Sequence, residues 1–121
     1  TPINISGEVT HSSGEPSTEQ ISPSGKTALK NTLIEGDCVE LILNNNPENI
    51  ELNHWSVHIN GKQATGEISN LNKWWISEED ETNAKNGKMI TVTAYNASEE
   101  SGDSVIATLM FTTKKEISNW S

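Results

Sequence analysis

The sequence predicts an all-β fold, an antiparallel β-sandwich of about seven strands. Apolar residues recur at period two through the second half of the chain, the pattern of a strand whose successive side chains point to opposite faces. Turn signals separate these runs at intervals of roughly 8–12 residues. No segment carries an apolar stripe at helical spacing. A closed barrel fits the same pattern and is the rival architecture.

Residues 1–27, TPINISGEVTHSSGEPSTEQISPSGKT, are rich in Ser, Thr, Pro, Gly and Glu and sparse in apolar residues. Such a composition buries too little surface to offset its ordering entropy. The segment is therefore expected to be linker-like, or to add a short edge strand where Ile3 and Ile5 alternate with polar residues. The sandwich is expected over residues 28–121. In Asp37–Leu43 the positions Val39, Leu41 and Leu43 share one face, and Asn44–Asn46 with Pro47 end the strand. Trp55, Val57 and Ile59 alternate with Ser56 and His58 and run into Asn60-Gly61, a strong short hairpin signal because both residues tolerate positive φ. Lys73–Ser77 carries Trp74, Trp75 and Ile76. Ser77-Glu78-Glu79-Asp80 reads as a helix start with no apolar run behind it, so at most one helical turn is expected before Asn86. Ile90, Val92 and Ala94 form one face of the next strand. Val105, Ala107, Leu109 and Phe111 form one face of the last.

The stretch NGKMITVTAYNASEESGDSVIATLMFTT, residues 86–113, resembles the last two strands of bacterial immunoglobulin-like and fibronectin-like surface domains. Trp55 in WSVHINGK resembles the core tryptophan of their third strand. The resemblance covers residues 29–113 and extends loosely to β-sandwich carbohydrate-binding modules. It implies an immunoglobulin-like sandwich that is secreted or displayed at the cell surface. The cysteine pair of antibody domains is absent: Cys38 is the single cysteine, and Ala94 stands where its partner would fall.

The bulk chemistry excludes several functions. The formal charge is −9, from 8 basic and 17 acidic residues, and every basic residue is Lys. No basic stripe exists to neutralise nucleic-acid phosphates, and an anionic membrane surface would repel the chain. No apolar run approaches the ~20 residues that span a bilayer, so no membrane insertion is expected. No signal peptide is visible, so an exported protein would be represented here by its processed form or by one monomeric domain of a larger protein. A lone cysteine allows neither an intrachain disulfide nor a thiolate zinc site, and Cys38 reads as a packed, inert thiol.

Catalytic and cofactor motifs are not found. Ser24-Gly25-Lys26-Thr27 lacks the upstream glycine of a phosphate loop, since position 20 is Gln. His54 and His58 would stand roughly 13 Å apart along a strand, too far to share a metal. The carboxylates of Glu78–Glu81 could bind Ca²⁺, a hard cation that favours oxygen ligands, but their spacing matches no calcium loop and the run reads first as a solvated face. Asn4, Asn96 and Asn119 begin glycosylation-type triplets of a kind common by chance in an Asn- and Ser-rich chain. The expectation is a non-catalytic module without cofactor.

The tryptophans carry the functional reading. The chain has 4 Trp but 1 Tyr and 1 Phe. Adjacent strand residues point to opposite faces, so Trp74 and Trp75 cannot enter the same core. The outward indole could stack on the apolar C–H face of a sugar, with Asn70, Asn72, Gln63 and Glu67 close in sequence to bind hydroxyls. The candidate ligand residues are therefore Trp74, Trp75, Asn72, Gln63 and Glu67, for a carbohydrate or cell-surface ligand. The alternative is a structural spacer or adhesin domain with no ligand of its own. Trp120 reads as a packing anchor in a polar tail.

Overall fold

The structure is a computed structural model and describes residues 3–12, 14–69, 72–97 and 102–115. Trp120, Asn70 and Asn119 lie outside the described residues.

The chain forms β1 (Asn4–His11), β2 (Ser17–Ile21), β3 (Cys38–Asn44), β4 (His54–Ile59), β5 (Lys62–Gln63), β6 (Ile68–Ser69), β7 (Lys73–Trp75), α1 (Glu78–Asn83), β8 (Met89–Tyr95) and β9 (Val105–Thr112). One sheet has the order β2-β1-β3-β7-β6 and the other β5-β4-β8-β9. Among the described residues, the pairs between these strands are antiparallel. The inner faces of the two sheets share one core. Ile5, Val9, Val39, Leu41 and Trp74 come from the first sheet, and Trp55, Val57, Ile90, Val92, Leu109 and Phe111 from the second. The architecture is an antiparallel β-sandwich.

Residues 1–27, expected to be linker-like or to add a short edge strand, contribute two strands of the first sheet, β1 and β2. β1 is an interior strand, flanked by β2 and β3, and β2 forms the edge. Ile5, Gly7, Val9 and His11 alternate inward, and Ile5 and Val9 are fully buried. Two apolar side chains, Ile5 and Val9, suffice here because neighbouring elements supply the remaining cover. Ile21 of β2 packs directly over Gly7, where an added Cβ would sit 3.1 Å from Ile21 Cδ1. The boundary placed between residues 27 and 28 also disappears. Thr27 O accepts from Thr112 N, and Leu29 N donates to Thr112 O, so this connection is stitched to the end of β9.

Two local devices fix the frame. Asn60 and Gly61 adopt φ of 51° and 83°, the paired left-handed conformation of a two-residue hairpin between β4 and β5. A bulge between β8 and β9 breaks the alternation. Ala94 pairs with Ala107 but Tyr95 pairs with Val105, so Ile106 has no cross-strand partner. Val105, which alternation places on one face with Ala107, Leu109 and Phe111, lies beyond the bulge and is 42% exposed.

Candidate functional site

The tryptophan pair divides as the strand pleat requires. Trp74 pairs with Val39 on the inner face and is fully buried. Trp75 pairs with Cys38 on the outer face and is 43% exposed. Trp74 is therefore corrected as a ligand residue, since a ring sealed in the core has no face left to offer. Around Trp75 the outer sheet carries Glu8, Glu40 and Lys73, with Ile42 further along β3. Cys38, opposite Trp75, is buried, and that burial pushes its thiol pKa up. A thiol so placed is a poor nucleophile.

Asp80 holds the inner tryptophan and a loop in one network. Ser77 caps α1, with its hydroxyl accepting from Asp80 N and Asp80 reaching back to the Ser77 N–H. This fixes the Asp80 carboxylate inside the protein at 0% exposure. Its oxygens accept from Thr65 N at 2.8 Å, Gly66 N at 2.8 Å and Trp74 Nε1 at 3.1 Å. The backbone at residue 66 comes so close that a Cβ there would stand 2.0 Å from Trp75 O and 2.6 Å from Asp80 Oδ2. Only Gly fits. The solvated acidic face expected over Glu78–Glu81 is thus corrected at Asp80, while Glu78 and Glu79 do face solvent.

The loop that Asp80 holds crosses from the β5 edge of one sheet to the β6 edge of the other. Together with β4 it encloses a groove of about 450 Å³, within the ~300–1,000 Å³ range of small-molecule sites. β5 covers β4 only at His58 and Ile59, with one further bond from Ala64 N to Val57 O. Among the described residues, no strand flanks that edge upstream of Val57. Trp55 forms part of the wall and donates Nε1 to Asn72 Oδ1 at 2.7 Å, a bond that ties the two sheets across the groove. Asn72 sits at φ of 61°, a left-handed turn position, and accepts from Leu41 N through its carbonyl.

Of the residues singled out in the sequence, Asn72 and Gln63 meet in this groove. Trp75 stands on the outer sheet face. Glu67 is exposed, and its carbonyl accepts from Trp75 N; its side chain does not line the groove. Sequence reasoning missed Ser56 and Ser69, which line the groove. Ser56 alternates outward on β4, and nothing in the pattern marks it as buried.

A second cluster lies at the far end of β1. His11 Nδ1 contacts Asp37 Oδ2 at 2.8 Å, and its Nε2 contacts Glu19 Oε2 at 2.6 Å. Asp37 also accepts from Ser12 N and Ile34 N, and Glu19 from Lys30 N and Asn31 N. One imidazole with a carboxylate at each nitrogen is satisfied only when both nitrogens carry protons. Burial works to lower the His11 pKa, but the hydrogen bonds and charges of Asp37 and Glu19 outweigh it and hold the pKa above 6.5. Burial likewise works to raise the Glu19 pKa. The N–H groups of Lys30 and Asn31, with His11, bring it below 4.5. This cluster ties β1, β2 and the connection before β3 together. Among the described residues no group of His, Cys, Asp or Glu is arranged to hold a metal ion, and no helix is long and apolar enough to cross a membrane.

Compared with protein-family models, curated proteins and solved structures, the chain matches none of them. The class defined by the structure itself is the two-sheet antiparallel β-sandwich.

Proposed function

We propose that this chain is a non-catalytic, immunoglobulin-like binding module that works outside the cell and recognises carbohydrate. The strand order supports the immunoglobulin-like reading, because β1-β3-β7-β6 facing β5-β4-β8-β9 is the arrangement of such sandwiches with one added hairpin strand, β2. The observation that carries the functional reading is the groove at the β4 edge. It combines apolar wall residues such as Leu52 and Ile68 with the amide and hydroxyl groups of Gln63, Ser69 and Asn72. A sugar presents the matching surfaces, apolar C–H faces and hydroxyl edges.

The exposed indole of Trp75 supports a second seat on the outer sheet face. A single ring beside Glu40 and Lys73 makes a smaller and more charged platform than the groove. Titration with soluble glycans, followed by tryptophan fluorescence, tests both. Binding that is lost in Gln63→Ala and kept in Trp75→Ala places the ligand in the groove. The reverse pattern moves it to the sheet face. A wild-type protein that binds no glycan of a broad panel is a spacer or adhesin domain instead.

A further inference from the structure

We infer that β9 is a self-association edge, at which two copies of this chain pair antiparallel about Thr108 and join their second sheets into one. The open edge of a sheet is a template for another strand, and folded proteins blunt it with shortness, charge or proline. Among the described residues the edges are β2 and β6 in the first sheet and β5 and β9 in the second. β5 and β6 are only two residues long. β2 carries Glu19, is flanked by Pro16 and Pro23, and has residues 30 and 31 tied to the Glu19 carboxylate. β9 has none of these devices. It runs for eight residues, VIATLMFT, with no charge and no proline, in a chain of net charge −9.

The backbone of that edge is open. Thr112 N donates to Thr27 O, and Thr112 O accepts from Leu29 N, so the peptide groups of Thr112 point away from β8. By strand alternation those of Met110 and Thr108 point the same way. Among the described residues no backbone partner meets them, and both side chains are exposed. Charge decides what the edge takes. Ahead of β9 stands the exposed Asp103, with Glu99 and Glu100 earlier in the same connection. Behind it come the exposed Lys114 and Lys115, and exposed Lys26 and Lys30 bracket the segment bridged to Thr112. A second copy laid antiparallel brings each acidic start to the other's basic end. A parallel copy would set like charges together. With Thr108 opposite itself on the two-fold axis, each Thr108 N–H donates to the other's carbonyl, and Asp103 comes level with Thr113 of the copy, beside Lys114. Pairing is confined to residues 105–111, because residues 27–29 already occupy the edge at Thr112. Such a contact is isologous and closes as a dimer. The groove lies at the other side of the same sheet, so the dimer leaves it open and carries two.

Sedimentation equilibrium of the 121-residue chain tests this. The wild type should move from monomer toward dimer mass between about 10 μM and about 1 mM, the weak range expected of so small a contact. Thr108 is exposed, so a substitution there spares the core. Thr108→Lys sets two ammonium groups against each other on the axis, and Thr108→Glu sets two carboxylates. Each should weaken association at least about tenfold. An equimolar mixture of the two should associate at least as tightly as the wild type, because opposite charges then face each other. Circular dichroism and a melting curve check that each variant is folded. If Thr108→Lys does not fold, Met110→Lys on the same exposed edge should show the same loss. A wild type that stays monomeric at about 1 mM overturns the inference, whether the edge then stays bare or takes a strand of another protein. Dimerisation unchanged in Thr108→Lys and Met110→Lys also overturns it, since the contact then lies elsewhere. So does a mixture of Thr108→Lys and Thr108→Glu that associates no better than either alone.

Discussion

Replacing Asp80 with Ala should be among the most damaging single changes in this protein, although Asp80 belongs to the most acidic run of the sequence. Its carboxylate accepts from two backbone N–H groups at 2.8 Å and from the Trp74 indole at 3.1 Å. Hydrogen bonds to a charged acceptor are worth ~1.5–3 kcal/mol each. The Trp74 N–H is sealed in the core and would be left without a partner, while Thr65 and Gly66 are partly exposed and can regain water. The low end of the range is therefore appropriate, and the loss should be about 4 kcal/mol. At about 4 °C per kcal/mol for a domain of this size, the melting temperature should fall by roughly 15 °C. Asp80→Asn keeps the shape but turns an N–H₂ toward one of the donors, so it should also destabilise. Glu79 is the control from the same helix. It pairs with Lys62 at 3.6 Å, and both side chains are largely exposed. Glu79→Ala should change stability by less than about 0.5 kcal/mol. Thermal or urea unfolding of the three variants measures these values. If Asp80→Ala and Glu79→Ala melt within about 4 °C of each other, the network does not hold the loop, and the argument for an ordered groove wall fails with it.

Two further outcomes follow from the same geometry. Trp74→Ala should cost about 3–5 kcal/mol, while Trp75→Ala should cost less than about 1 kcal/mol and should speed maleimide labelling of Cys38 by uncovering it; equal destabilisation by the two would mean both rings are buried. The His11 cluster sets a pH dependence whose sign follows from its two shifts. The raised His11 pKa gives stability that is complete below 6.5 and is lost as pH rises through the folded-state value. The lowered Glu19 pKa gives stability that is present above 4.5 and is lost as pH falls through its folded-state value. The cluster's contribution should be greatest between these limits. Melting curves across the pH range should show an alkaline decline in the wild type that is absent from His11→Gln; the same decline in both would refute the assignment.

The sequence by itself determined which residues alternate. Strand faces are a local property, set by the pleat, and so Val39 with Leu41, Trp55 with Val57 and Ile59, and Ile90 with Val92 could be assigned before any tertiary contact was known. The same local rule separated Trp74 from Trp75 and marked the Asn60-Gly61 hairpin. The sequence did not show which of the two rings was inside, because the answer depends on which face of β7 meets the other sheet. Tertiary structure also decided the fate of polar residues. His11, Asp37 and Asp80 look solvated in a one-dimensional reading, and each is buried because residues distant in the chain bring hydrogen-bond donors or charge to it. The N-terminal segment has too few apolar residues to order itself. It becomes an interior strand because β3 on one side and β2 on the other complete its hydrogen bonds. The groove was least legible of all. It forms where β5 stops short and a loop passes between the edges of two sheets, so its lining is drawn from residues 52–72, whose sequence pattern carries no mark of the opening. Periodicity reports the environment of a strand face, and a strand edge leaves no period in the sequence.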